Sequence, residues 1–301
     1  MKKLLLLFIL LSQFAFSQQV NVISTEKLQT TNSGGYFYPR ISPDNQFILM
    51  TRGNYSGLYK YSLNDKTLKT LNEDPGAGYK VQISEDGNTV LYTKSELIRK
   101  LRHNSLISQT IATGQKKVLV TPTRELITAR LVNSKPVYVT KRSMIKSASL
   151  KLTDNLYVIT IENRKMVVYK NGVRNELTPN GTDCSYIWAS ISPDNKNIVY
   201  TATGKGTFVC SVTGNNVVSL GKLSAPSWAG NKYVVGMDDR DDGEKLISSS
   251  IIISSIDGKL RKRLDTPSGI NAMYPSASKD GSLITFNTDR GEVYLMRVEL
   301  K

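Results

Sequence analysis

One short pattern recurs from end to end of the chain, and it restricts the fold more than any single residue does. Its clearest copies are Tyr38-Pro39-Arg40-Ile41-Ser42-Pro43-Asp44-Asn45 before Phe47-Ile48-Leu49-Met50, and Ile191-Ser192-Pro193-Asp194-Asn195 before Ile198-Val199-Tyr200. Two more read Ile83-Ser84-Glu85-Asp86-Gly87 before Val90-Leu91-Tyr92, and Tyr274-Pro275 to Ser278-Lys279-Asp280-Gly281 before Leu283-Ile284. Weaker copies lie at Pro226 to Asn231 and at Ala129 to Ser134. In these turns proline presets φ, and asparagine or glycine tolerates positive φ, so a short strand reverses into an apolar one. A second hairpin follows in most copies, turning at Asn64-Asp65, Gly214-Asn215 and Asp257-Gly258.

Ser42 and Ser84 stand 42 residues apart, and Ser192 and Ser278 stand 86 apart, room for two units. Four strands per unit at that spacing is the pattern of a β-propeller, in which sheets are arranged as blades around a channel. Copies near residues 42, 84, 132, 192, 230 and 278 predict an all-β, six-bladed propeller with four-stranded blades. The blurred third and fifth copies leave counts from five to seven open. The 108 residues between Ser84 and Ser192 are read as two units, with surplus length at 94–115 and 141–156. The last copy holds only three strands. The segment from Val20 to Leu28 is expected to supply the fourth and close the ring, because an open array would leave an exposed edge.

The chain begins Met1-Lys2-Lys3, continues with the apolar run Leu4 to Leu11, and reaches Ala15 and Ser17 before Gln18. That order predicts a signal peptide over 1–17 and a propeller domain over 18–301. No cysteine directly follows the apolar run and no later stretch is long enough to span a bilayer, so the expected location is the periplasm or outside the cell. Cys184 and Cys210 are the only cysteines. Export would permit them to pair, but they fall on strands not expected to be adjacent, and two buried or unpaired thiols are expected.

At these repeats the chain resembles the TolB-like family of WD40-like propellers, in which a Ser-Pro-Asp-Gly turn precedes an apolar strand. Ser42 to Asn45 and Ser192 to Asn195 are good copies of that turn, and Ser84 to Gly87 and Ser278 to Gly281 are partial ones. The Trp-Asp pairs of WD-repeat propellers are missing. The resemblance implies the fold and an exported scaffold that binds rather than catalyses; only about twenty residues precede the first repeat, so it does not extend to the role of any one member.

Charge is the sharpest functional signal. The formal net charge is +15. Between Lys94 and Lys151 stand thirteen Lys and Arg against Glu96 and Glu125 alone. A basic sector containing Arg99, Lys100, Arg102, Lys141 and Arg142 would attract an anionic partner of the envelope, such as an acidic protein, an anionic glycan or a lipid headgroup. An ordinary solvated surface is the competing reading. Nucleic acid is not expected, because export removes the chain from it and no reader motif is present.

The residues that lead into innermost strands surround the mouth of a propeller's channel. Here they include Tyr38, Arg40, Tyr79, Lys80, Trp188, Trp228 and Tyr274, which suit a peptide tail or a sugar. The same rings could instead pack between blades. The acidic run Asp238 to Glu244 places Arg240 where a calcium loop needs its second ligand side chain, and a solvated hairpin loop is expected. His103 is the only histidine, and no Gly-x-Ser-x-Gly motif or phosphate-cradling loop occurs. No catalytic residue, metal or cofactor is therefore expected. The alternative is a carbohydrate-active propeller, such as a polysaccharide lyase using Tyr, Lys or Arg as acid and base.

Overall fold

The computed structural model describes residues 19–30, 34–140, 143–146, 150 and 156–300. The leader read over 1–17 lies outside them, as do Lys141 and Arg142. Seven antiparallel sheets follow one another. Outside the first of them in sequence runs β1 (Val20–Lys27). The first sheet is β2 (Phe37–Ile41), β3 (Phe47–Thr51), β4 (Leu58–Ser62) and β5 (Leu68–Asn72), and the second is β6 (Gln82–Ile83), β7 (Thr89–Ile98), β8 (Leu101–Thr110) and β9 (Lys116–Thr123). The third holds β10 (Thr128–Val132), β11 (Lys135–Thr140) and β12 (Ser143–Lys146), and the fourth β13 (Tyr157–Glu162), β14 (Lys165–Lys170) and β15 (Val173–Leu177). The fifth holds β16 (Tyr186–Ile191), β17 (Asn197–Ala202), β18 (Gly206–Ser211) and β19 (Val218–Gly221), and the sixth β20 (Ser224–Ala229), β21 (Tyr233–Asp241), β22 (Leu246–Ser255) and β23 (Arg261–Arg263). The seventh combines β24 (Ala272–Ala277), β25 (Leu283–Thr288) and β26 (Val293–Leu300), and β1 lies along the outer edge of β26, from Val20 opposite Leu300 to Lys27 opposite Tyr294.

Each recurrent turn is held by its own serine. The Ser192 hydroxyl accepts from the backbone N–H of Asn197 at 2.9 Å and donates to Asp194 at 2.6 Å, while Asp194 accepts from Lys196 N–H at 3.2 Å. Ser84 with Asp86 and Ser278 with Asp280 repeat the arrangement, and all three serines are buried. The motif that betrays the repeat is thus a self-contained turn that satisfies a buried hydroxyl and the strand's first N–H.

The core lies between sheets, as expected when flat-sided blades pack face to face. Ile48, Met50 and Tyr61 of the first sheet pack against Leu283, Val293 and Leu295 of the seventh. Phe47, Leu49 and Leu58 pack against Val90, Tyr92 and Ile107 of the second. Equivalent clusters join the third to the fourth, the fourth to the fifth, the fifth to the sixth and the sixth to the seventh. Gln82 joins the second sheet to the third, donating to Ala129 O and accepting from Leu131 N–H at 2.8 Å. Apolar clusters thus fill six seams and Gln82 bridges the seventh, so each sheet meets the next around the ring.

Seven sheets replace the expected six, and the missed one is the fourth. In four other sheets the residue after the third strand donates to the residue before the second, Leu63 to Gln46, Ile111 to Asn88, Val212 to Lys196 and Ile256 to Lys232, and in the seventh Val298, within β26, donates to Ser282. In the fourth sheet Asn171 donates in the same way to Leu156. By that bond β13, β14 and β15 are the second, third and fourth strands of a blade. No first strand, and hence no Ser-Pro-Asp turn, precedes them among the described residues. Among the described residues the third and fourth sheets show three strands each, and the other five sheets four. The surplus at 94–115 is an extension of β7 and β8 rather than an inserted loop.

Cys184 and Cys210 are unbridged and buried. Burial pushes the Cys210 thiol up to about 12.

Candidate functional site

The mouth of the channel is built by one backbone device used repeatedly. Tyr38, Lys80, Trp188, Ala225 and Tyr274 stand at equivalent places at the start of innermost strands, and all have φ between 48° and 53°. In four of those sheets the pairing register slips there, between Phe37 and Arg40, Ile187 and Ser190, Ser224 and Ser227, and Met273 and Ser276. These are β-bulges, which turn a side chain out of the sheet's alternation. A left-handed backbone at a bulky residue costs on the order of 1–2 kcal/mol and persists only where the surroundings impose it. At Tyr38 the imposing group is visible: its N–H donates to Asn287 Oδ1 of the seventh sheet at 3.0 Å.

The bulges bring three of the expected residues together, through a fourth that sequence reasoning missed. Tyr38 lies 4.5 Å from Tyr274 and 4.2 Å from Tyr55 between ring centroids, and Tyr55 lies 5.2 Å from Tyr79. Tyr55 ends a short 3-10 turn (Gly53–Tyr55) between β3 and β4, with φ of 58°, and its carbonyl accepts from Gly78 N–H at 3.0 Å. The signal for it was the doublet Asn54-Tyr55 in a loop directed to the same end as Tyr38. Burial first, and then a hydroxyl hydrogen bond with Tyr55, raise the pKa of Tyr38, so its phenol stays protonated.

Arg40 lies two residues along β2 from Tyr38. Its side chain is accessible to water yet surrounded by protein deeply enough that desolvation lowers its pKa, opposed only by Tyr55. It lies close enough to Tyr55 for the two groups to interact electrostatically. Arg130 of β10 is likewise lowered by desolvation, with Glu85 opposing. Lys80 reaches its own neighbour, with Nζ 5.6 Å from the centre of the Tyr79 ring. Trp188 holds the equivalent place in the fifth sheet and is exposed, separated from Tyr274 by the sixth sheet. Trp228 does not belong to the mouth. It sits three residues beyond Ala225, packs among Val199, Val209 and Val234, and donates from Nε1 to Ser190 O at 3.3 Å.

The basic stretch is dispersed rather than gathered into one surface. Arg99 and Lys100 form the turn between β7 and β8, and Arg102 donates to Ser95 Oγ at 2.9 Å. Lys116 pairs with Asp74 at 2.7 Å on an outer strand, and Arg130 lies on an inner one. The acidic run closes the β21–β22 hairpin: Asp242 accepts from the N–H groups of Glu244 at 2.9 Å and Lys245 at 2.7 Å. Among the described residues, no three His, Cys, Asp or Glu side chains group as metal ligands.

Strand direction places both long hairpins on the tyrosine face. β2 starts at that face, so β3 ends there, as the pairing of Phe37 with Thr51 shows. By the same register the β7–β8 and β21–β22 turns project from it, on the second and sixth sheets, and the tyrosines of the seventh, first and second sheets lie between. A hollow of about 390 Å³ also opens between the third and fourth sheets, bordered by Glu125, Thr128, Thr160 and Glu162. Its Glu162 is committed to Arg174 at 2.8 Å and Tyr169 at 3.0 Å.

No family model matches the chain, and no curated protein does. Solved structures do share its architecture. TolB from Acinetobacter baumannii is 19% identical with a TM-score of 0.54, over 80% of this chain and 56% of that one. The β-propeller domain of Cps50 (Swd1) from Myceliophteria thermophila is 9% identical with a TM-score of 0.59, over 93% and 100%. An oligogalacturonate lyase in complex with manganese is 13% identical with a TM-score of 0.51, over 89% and 79%. At these identities the likeness is one of fold. The chain spans little more than half the length of the TolB chain.

Proposed function

We propose that the chain is an exported binding scaffold of the cell envelope, which holds a protein or anionic ligand at the tyrosine mouth. The observation that carries this reading is the Tyr274-Tyr38-Tyr55-Tyr79 cluster with Arg40 beside it. Repeated bulges hold bulky residues in a disfavoured backbone form there, and the Arg40 guanidinium, close to Tyr55, has no ion-pair partner among the described residues. Aromatic faces with a recessed cation suit a flexible ligand that ends in an acidic group, gripped by stacking and then by charge. The signal-like leader and the likeness in fold to TolB support an envelope setting.

A photo-crosslinking residue placed at Tyr79 tests the reading, with one at Val173 on an outer strand as control. Adducts in envelope extract are expected at the mouth and not at the edge. Equal labelling at both positions, or labelling at Val173 alone, would overturn it. The second reading is a carbohydrate-active enzyme, raised by the likeness in fold to the oligogalacturonate lyase. It is tested by incubating the protein with acidic polysaccharides, with and without manganese, and following the ultraviolet absorbance of an unsaturated product.

A further inference from the structure

A second surface stands apart from the mouth. β7 and β8 outrun their neighbours: β6 pairs with β7 only at Val90 and Leu91, and β9 reaches no further along β8 than Asn104. Beyond that point Glu96–His103, Leu97–Arg102 and Ile98–Leu101 pair only with each other, as a free two-stranded ribbon. A ribbon of this kind gains little from water exposure of its apolar residues. Even so, Leu97 is 76% exposed, Leu101 46% and Ile98 38%.

Paired residues share a face, so Leu97 and Arg102 lie on one side of the ribbon and Ile98 and Leu101 on the other. Neither side packs on the body of the propeller. Arg99 and Lys100 form the tip, in the left-handed region at φ of 50° and 64°. None of Arg99, Lys100 and Arg102 has a carboxylate partner among the described residues. Next to the ribbon's base, the loop after β9 presents exposed Arg124 and Leu126. Apolar side chains on both faces, ringed by unpaired cations at the end of a projecting element, match the interface of an anionic bilayer. There the apolar groups enter among the headgroups while the cations meet phosphates.

We propose that this ribbon docks the propeller on an anionic phospholipid surface, with Leu97, Ile98 and Leu101 inserted and Arg99, Lys100 and Arg102 at the phosphates. The acidic β21–β22 hairpin rises from the same face across the tyrosines, so contact is by one edge, tilted toward the second and third sheets. The mouth then stays open beside the membrane, and the inference does not depend on what the mouth binds.

Co-sedimentation with vesicles tests it, using phosphatidylglycerol mixed into phosphatidylcholine against phosphatidylcholine alone. Wild-type protein is expected to sediment with the anionic vesicles only. The triple variants Arg99→Ser/Lys100→Ser/Arg102→Ser and Leu97→Ser/Ile98→Ser/Leu101→Ser should each weaken partitioning by roughly a hundredfold, from about fivefold per side chain. Both should melt as the wild type does, since the tip touches no core residue. The Leu97→Trp variant should show blue-shifted emission on adding anionic vesicles, read against wild type. No preference for the anionic vesicles overturns the proposal. So does loss of binding with the cation variant but not with the leucine variant, because that pattern is polyanion attraction without insertion.

Discussion

Tyr38 and Tyr55 stack with centroids 4.2 Å apart and planes at 23°, although one starts the innermost strand of its sheet and the other closes a loop between the two middle strands. Both hold a positive φ. The contact ties the bulge to the loop, and through Gly78 and Tyr274 it ties the first sheet to the second and the seventh. Replacing Tyr55 by Leu should cost about 1 kcal/mol, the scale of an aromatic pair beyond its buried area. It should also abolish crosslinking from position 79. Urea denaturation and the labelling experiment check the two effects separately.

Ala225 occupies the same bulge position as Tyr38 but contributes only a methyl group. Its φ of 48° is disfavoured for any residue with a Cβ. Ala225→Gly should therefore stabilise the protein, by up to about 1 kcal/mol after the greater freedom of glycine in the unfolded chain is subtracted. An unchanged or lower urea midpoint would mean that the backbone relaxes there without strain.

The outer strand of the seventh sheet comes from the opposite end of the chain. Val20 is buried, and it packs with Ile284, Phe286 and Met296. Removing residues 19–28 uncovers the whole edge of β26 and opens the cluster. A broad, early thermal transition and a tendency to aggregate are expected. Calorimetry of the truncated chain decides the matter.

The turns carry a pH signature. Hydrogen bonds from the hydroxyls of Ser62 and Thr67 and from Thr67 N–H hold Asp65 down to about 2. A carboxyl lowered in the folded state stabilises the fold above its unfolded pKa of about 4, where it is ionised in both states. That contribution fades as pH falls through the folded value, below which both states are protonated. Asp65→Asn should thus be less stable than wild type at neutral pH, and the two urea midpoints should converge between about pH 4 and pH 2.

Cys210, with its thiol raised to about 12 by burial, has almost no thiolate at neutral pH. Native protein should resist alkylation at this residue, and guanidinium should expose both it and Cys184. Mass spectrometry after a timed pulse of reagent distinguishes the states.

Local grammar made the blades legible. A Ser-x-Asp turn encodes its own geometry, because its hydroxyl and carboxylate bond within six residues, and so Ser42, Ser84, Ser192 and Ser278 marked their sheets without any tertiary information. The fourth sheet escaped because no such turn precedes it. Its traces were the hairpins at Asn163-Arg164 and Asn171-Gly172, flanked by Tyr157 to Ile161 and Met166 to Tyr169. Counting turns is counting first strands, and a blade without a described first strand goes uncounted.

The mouth divides in the same way. Tyr38 and Tyr274 were visible because each sits four residues before the serine of its turn, and Tyr79 because it precedes Lys80, which holds that place in the second sheet. Trp228 was misplaced because its sheet carries Ala225 at the bulge, and position along a bulged strand decides whether a side chain faces the channel or the neighbouring sheet. The amino-acid order by itself determined that this chain must fold into repeated hairpins, since those turns form from contacts a few residues apart. Only the closed ring decided how many sheets it takes to complete the circle, that Tyr55 joins the cluster, and that Arg40 lies in water yet deep in protein. Those are properties of distances between residues far apart in the chain, which no local pattern records.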